Sequence, residues 1–166
     1  MVEDSVGMSD YKKYLDDGIY DIQDGKFKSA VENITKSIEI KNDWEISYFY
    51  RAVAYQAMEN FDEAMLDYTK AIQINEKMTD AYYNRAKITL TRKDIENPDI
   101  KLAVSDLKKS LELDEKFLDA LYAMAAAYKK LGDYKEALVY LDRLIEIEPD
   151  AVQAKALKKL IEQKYL

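Results

Sequence analysis

Gly132-Asp133-Tyr134-Lys135-Glu136-Ala137 is the stretch that decides the fold, because its pattern stands twice more in the chain. It appears as Gly25-Lys26-Phe27-Lys28-Ser29-Ala30 and as Glu59-Asn60-Phe61-Asp62-Glu63-Ala64, with an altered copy from Asn97 to Ala103. Counted on the alanine, the steps are 34 residues from Ala30 to Ala64, 39 to Ala103 and 34 to Ala137. Phe27, Phe61, Ile100 and Tyr134 follow the same steps, as do Ile38, Ile72, Leu111 and Ile145. Gly18, Ala52, Ala86 and Ala125 keep the register too. Self-similarity of this period is the mark of a repeat architecture. One five-residue insertion interrupts it.

Each unit reads as two helices. Tyr134, Ala137, Leu138, Leu141, Leu144 and Ile145 fall on a single helical face. Leu121, Ala125 and Tyr128 mark a companion helix ahead of it, and Leu131-Gly132-Asp133 makes the turn. Gly132 suits the left-handed residue that ends a helix, Asp133 suits the cap of the next, and Pro149 stops the unit. In the third unit Asn97 reads as the cap and Pro98 as the first helical residue, so the insertion, around residues 91–99, lengthens the preceding turn or first helix. Ala52, Ala64, Ala86, Ala103, Ala125 and Ala137 sit where the two helices of a pair approach; larger side chains there would overpack the contact at ~1–3 kcal/mol each. Trp44, Met78 and Phe117 end their units just before the next helix, as a hydrophobic staple would.

On these residues the chain resembles the tetratricopeptide repeats. Residues 118–151 carry Ala125, Tyr128, Gly132, Tyr134, Ala137, Leu141 and Pro149 in that family's order. Residues 45–78 match through Tyr48, Ala52, Tyr55, Phe61, Ala64, Tyr68 and Ala71. Residues 11–44 and 79–117 keep the register more weakly: Asp21 stands where an aromatic is usual, and neither unit has the closing proline. The resemblance implies an all-α fold, a right-handed superhelical solenoid of antiparallel helix pairs, with four units over residues 10–151. Residues 152–166 read as a C-terminal capping helix and residues 1–9 as a disordered tail, with Met8 a candidate natural start.

Composition narrows the function. The 166 residues include four Gly and two Pro, a balance that favours helix, and no apolar run approaches the length of a membrane span. Cysteine and histidine are absent, which removes thiolate and imidazole metal ligands, a cysteine nucleophile and the usual neutral-pH base. No phosphate loop or calcium loop is present, and paired acids such as Asp16-Asp17 read as solvated helix surface. No enzyme, cofactor or metal site is expected. A net charge of −7 argues against nucleic acid and against anionic membranes as partners. The location expected is cytoplasmic.

The resemblance therefore points to a non-catalytic scaffold that binds a protein or peptide in a concave groove. Tyr48, Tyr55, Tyr68, Tyr82, Tyr128 and Tyr134 occupy the family's packing positions. One residue after the packing position of each first helix stand Leu15, Phe49, Tyr83 and Tyr122, at the place the family turns towards its groove. Tyr50 and Asn84 lie one residue further on, and Ile19 and Val53 extend the strip by one helical turn. Lys87, Lys129 and Lys130 are expected to make one end of the groove basic. Rings with polar tips anchor peptides at low entropic cost. The family's grip on acidic chaperone C-terminal tails needs Lys, Asn and Arg at set places. Here those places hold Leu15, Ile19, Tyr50, Asp80 and Asn84, or, one unit later, Phe49, Val53, Asn84, Asp119 and Ala123. Only Asn84 agrees, in the second placement, so that ligand is not expected. The alternative is self-association into a homo-oligomer through the repeat ends or the convex face.

Overall fold

The computed structural model describes the backbone of residues 4–9 and all atoms of residues 10–93 and 99–165. Among the described residues every regular element is an α-helix. The first four are α1 (Asp4–Gln23), α2 (Phe27–Ile40), α3 (Glu45–Ala57) and α4 (Phe61–Ile74). Then come α5 (Thr79–Thr91), α6 (Ile100–Leu113), α7 (Leu118–Leu131), α8 (Tyr134–Ile147) and α9 (Val152–Tyr165). The helix α1 already runs at Asp4, so residues 4–9, read from sequence as a tail, continue its backbone; no proline interrupts residues 4–23.

Turn chemistry sets the helix pairs. Gly25 and Gly132 adopt φ of 73° and 79°, and Glu59, at the same place in its unit, adopts 60°. Behind each left-handed residue an amide reaches five residues back: Lys26 to the Asp21 carbonyl at 2.8 Å, Asn60 to Tyr55 at 2.9 Å and Asp133 to Tyr128 at 3.0 Å. This closes the preceding helix by satisfying a carbonyl that has no partner within it. Asp133 then caps α8 by accepting from the Glu136 amide at 3.2 Å. The helix α8 ends at Ile147, two residues before Pro149. The start of α6 departs from the sequence reading. Asp99 is its cap, accepting from the Leu102 amide at 3.1 Å, and helix begins at Ile100. A carboxylate three residues before a free amide is as good a cap as the asparagine chosen from sequence. Asn97 and Pro98 lie outside the described residues.

The chain divides into two compact units, Met1–Ala81 and Tyr82–Leu166. In the first, α1 packs on α2, α2 on α3 and α3 on α4, and α1 also reaches α3. Its core gathers Leu15, Ala30, Ile34, Ile38, Tyr48, Ala54 and Ala71. Gly18 is glycine for a reason of space: a Cβ there would run into Ile34 and sit 3.3 Å from the Ala30 carbonyl oxygen. In the second unit α6 packs on α7, α7 on α8 and α8 on α9, around Leu107, Leu121, Met124, Leu141 and Ile161. The six alanines at the expected close approaches, from Ala52 to Ala137, are all fully buried.

Two arginines tie helices together through the interior. Arg51 on α3 donates from Nε and Nη2 to both oxygens of Asp67 on α4, at 2.7 and 2.9 Å, and from Nη1 to Thr35 on α2 at 3.2 Å. Arg85 on α5 makes the same two-pronged pair with Asp106 on α6, at 2.8 and 2.7 Å. Burial works against the Arg51 charge, but the hydrogen bond and charge of Asp67 outweigh it and raise its pKa. Asp106 does the same for Arg85. Trp44 and Phe117 stand at helix caps, and their rings meet Tyr11 at 4.8 Å and Tyr83 at 5.0 Å. Both partners come from the preceding first helix, a different contact from the staple expected.

Candidate functional site

In the first unit the candidate residues lie on α1 and α3. Leu15 is 2% exposed and belongs to the core, so the structure removes it from the candidate surface. A leucine at this place is short enough to be covered entirely, whereas a ring reaches past the edge of the core. Ile19, Phe49 and Tyr50 are half-buried against that core, and Val53 is half-buried one turn beyond Phe49. Phe49 meets Tyr50 edge-on at 5.4 Å and Tyr68 at 5.8 Å. Tyr68 is fully buried and donates its hydroxyl to Gln56 Oε1 at 2.9 Å. Phe49 therefore stands on a rigid base with its outer edge open. That is a preorganised apolar contact, and contacts of this kind anchor ligands.

In the second unit Tyr83, Asn84 and Tyr122 are half-buried and Lys87 is exposed. The Lys87 ammonium lies 5.8 Å from the centre of the Tyr83 ring, a cation held on an aromatic face. Burial raises the pKa of the Tyr83 hydroxyl, and the charge of Asp119 raises it further. Tyr122 lines a cavity of about 370 Å³ between the start of α7, the end of α8 and the start of α9. The charge there is the reverse of the sequence expectation. Asp119, Glu148 and Asp150 line the cavity, and no Lys or Arg does. Lys129 and Lys130 stand in the last turn of α7, ten residues from Asp119, which is ~15 Å along a helix axis. Of the three lysines expected to make one end of the groove basic, Lys129 and Lys130 thus stand away from this cavity, while Lys87 stands beside Tyr83.

The structure brings Ile19, Phe49, Tyr50 and Val53 to the first unit's surface, and Tyr83, Asn84, Lys87 and Tyr122 to the second's. Sequence reading missed the acids around Tyr122. In the sequence Asp119 stands out only as a mismatch at one of the tail-gripping places, and Glu148 and Asp150 flank the closing Pro149, where they look like ordinary loop residues. Among the described residues no three Asp or Glu side chains come together as a metal site, and no helix is long and apolar enough to cross a membrane.

Residues 46–78 match the tetratricopeptide repeat family, and residues 118–165 match the Fis1 C-terminal tetratricopeptide repeat. Human tetratricopeptide repeat protein 12 is 25% identical over 143 residues, which cover 78% of this chain and 20% of that protein. The chain thus spans a fifth or so of that relative's length. The crystal structure of MamA aligns with a TM-score of 0.83 at 18% identity, over 92% of this chain and 81% of that one. The first tetratricopeptide domain of Spaghetti (RPAP3), bound to the HSP90 peptide SRMEEVD, aligns with a TM-score of 0.68 at 21% identity, over 74% of this chain and 94% of that one. At such identities the likeness to both structures carries the fold alone. With two matches in register with the counted repeat, on an all-helical fold shared with these structures, the chain carries tetratricopeptide repeats at residues 46–78 and 118–165.

Proposed function

We propose that the chain is a non-catalytic scaffold that holds a polypeptide partner against the first helix of each pair. The observation that carries this reading is the recurrence of Phe49, Tyr83 and Tyr122 at the repeat step, each half-buried and so held in place with part of its ring open. Partly open aromatic side chains on rigid helices supply contact area at small entropic cost. The RPAP3 domain supports peptide binding as a use of this fold, though its peptide is acidic. The present chain carries exposed Asp80 and Asp119 at two of the places that would have to meet an acidic tail, so an acidic C-terminal tail is not the ligand proposed.

The test is the triple change Phe49→Ala, Tyr83→Ala and Tyr122→Ala in the full chain. Immobilised protein is used to capture partners from native cell extract, with helicity followed by circular dichroism. The proposal expects the triple variant to lose the proteins that the parent retains while keeping its helical signal. Retention of the same proteins by a helical triple variant overturns it.

A further inference from the structure

The cavity beside Tyr122 has a chemistry of its own. Its floor is apolar, made by Leu118, Tyr122 and the nearly buried Leu144. Val152, 77% exposed, stands at its mouth. Its rim carries Asp119, Glu148 and Asp150, all exposed, and none of the three is held in an ion pair among the described residues. The start of α9 borders the same space, and its helix dipole answers part of this charge. A helix N-terminus is worth about +0.5 of an elementary charge, against three full negative charges, so the cavity stays strongly negative. A volume of about 370 Å³ admits one or two side chains.

We infer that this cavity takes a basic segment of a polypeptide: a bulky apolar side chain on the Tyr122–Leu144 floor, with neighbouring Lys or Arg side chains paired to Asp119, Glu148 and Asp150. The inference rests on the polypeptide-binding reading above and names the chemistry of its ligand at one end. Apolar floor and acidic rim together select the ligand. An acidic or neutral segment would leave three carboxylates facing the ligand unanswered, and a free small amine would leave the floor uncovered. Tyr122 suits the cation as well, because an aromatic face attracts an ammonium or guanidinium group; Lys87 on Tyr83 is the same contact within this chain.

The test uses the full chain and three short fluorescent synthetic peptides that are identical except for a central Lys-Leu-Lys, Glu-Leu-Glu or Gln-Leu-Gln. Binding is read by fluorescence polarisation at low salt, and the contact is located by amide NMR shifts. The Lys-Leu-Lys peptide is expected to bind tightest and to shift Tyr122 and Val152. The triple change Asp119→Asn, Glu148→Gln and Asp150→Asn should weaken it ~10-fold, the size to which three exposed ion pairs sum. A control triple of equal charge change on the first unit, Glu32→Gln, Glu39→Gln and Glu63→Gln, should leave binding unchanged. Equal weakening by both triples would mean diffuse attraction to an acidic protein, and would overturn the inference. So would tighter binding of Glu-Leu-Glu or Gln-Leu-Gln. If Lys-Leu-Lys fails to bind while the Phe49, Tyr83 and Tyr122 variant still loses its captured partners, the basic preference falls and the scaffold reading stands. Retention of those partners by that variant sinks the scaffold reading instead.

Discussion

Arg51 grips both carboxylate oxygens of Asp67, at 2.7 and 2.9 Å, with 18% and 8% of the two side chains exposed. The places that Arg51 and Asp67 hold are filled by Arg85 and Asp106 one unit on, and by Met124 and Tyr140 in the unit after that. Met124 is fully buried, and Tyr140 packs against the same core. The chain thus contains both an ionic and an apolar solution to one packing problem. Asp67→Ala strands a half-buried guanidinium and should cost about 3 kcal/mol, at the low end for a broken buried pair because Arg51 keeps Thr35 and some solvent. The double change Arg51→Met with Asp67→Tyr should recover to within ~1 kcal/mol of the parent, since a well-packed apolar pair replaces a buried ion pair at little cost. Urea denaturation of both variants checks this. A double variant no better than Asp67→Ala would refute it.

Ser110 presents a second contrast between units. Ser37 Oγ on α2 lies 2.9 Å from Ser47 Oγ on α3, both fully buried. The corresponding places in the last two units are Ser110 and Ala120, and the buried Ser110 Oγ has no hydrogen-bond partner. An unpaired buried hydroxyl carries its full desolvation cost. Ser110→Ala is therefore expected to raise stability by ~1 kcal/mol, whereas Ser37→Ala, which orphans Ser47, should lower it. Opposite shifts in the midpoint of thermal unfolding would bear this out.

Glu59 is the described non-glycine residue with a left-handed backbone, at the place that Gly25 and Gly132 hold in their turns. An L side chain there costs ~1–2 kcal/mol, which glycine avoids while giving back ~0.5–1 kcal/mol of chain entropy. Glu59→Gly should stabilise the chain by under ~1 kcal/mol. Gly132→Ala should destabilise it, although no neighbour stands within 4 Å of the added Cβ. The cost there is conformational, not steric crowding, so neighbouring substitutions will not relieve it. Denaturant midpoints of the two variants make the comparison.

Tyr68 gives the molecule an alkaline limit. Burial pushes its hydroxyl well above the ordinary value of 10.0, and the charge of Asp80 adds to this. An acid whose folded pKa is raised holds more protons folded than unfolded, so its contribution to stability is intact below the unfolded pKa near 10. That contribution is lost as pH rises above this value towards the folded pKa. Tyr83 and Tyr140 are raised by burial as well and act in the same direction. Stability measured by denaturant should therefore fall above pH ~10, with tyrosinate absorbance rising as the helix signal is lost. Tyr68→Phe should flatten this decline, while losing ~1 kcal/mol near neutral pH with the bond to Gln56.

The repeat, the helix pairs and the turns were determined by sequence alone. Each rests on short-range physics: the 34-residue step, the apolar face of the helices, and Gly132 with Asp133 at the last turn, although Glu59 holds the left-handed place without glycine and the cap of α6 is Asp99 and not Asn97. The aromatic places at Phe49, Tyr83 and Tyr122 were legible because they recur at that step. Tertiary structure alone decided the rest. Leu15 shares their place in the repeat, yet whether a side chain there is covered depends on its size against the neighbouring helices. Arg51 and Asp67 are 16 residues apart, and nothing local marks an arginine as buried until the helix that carries its carboxylate is folded against it. Asp119, Glu148 and Asp150 come from one helix start, one helix end and one loop. Their charges add up only where three helix termini converge, because electrostatic fields sum over distance in space and not along the chain.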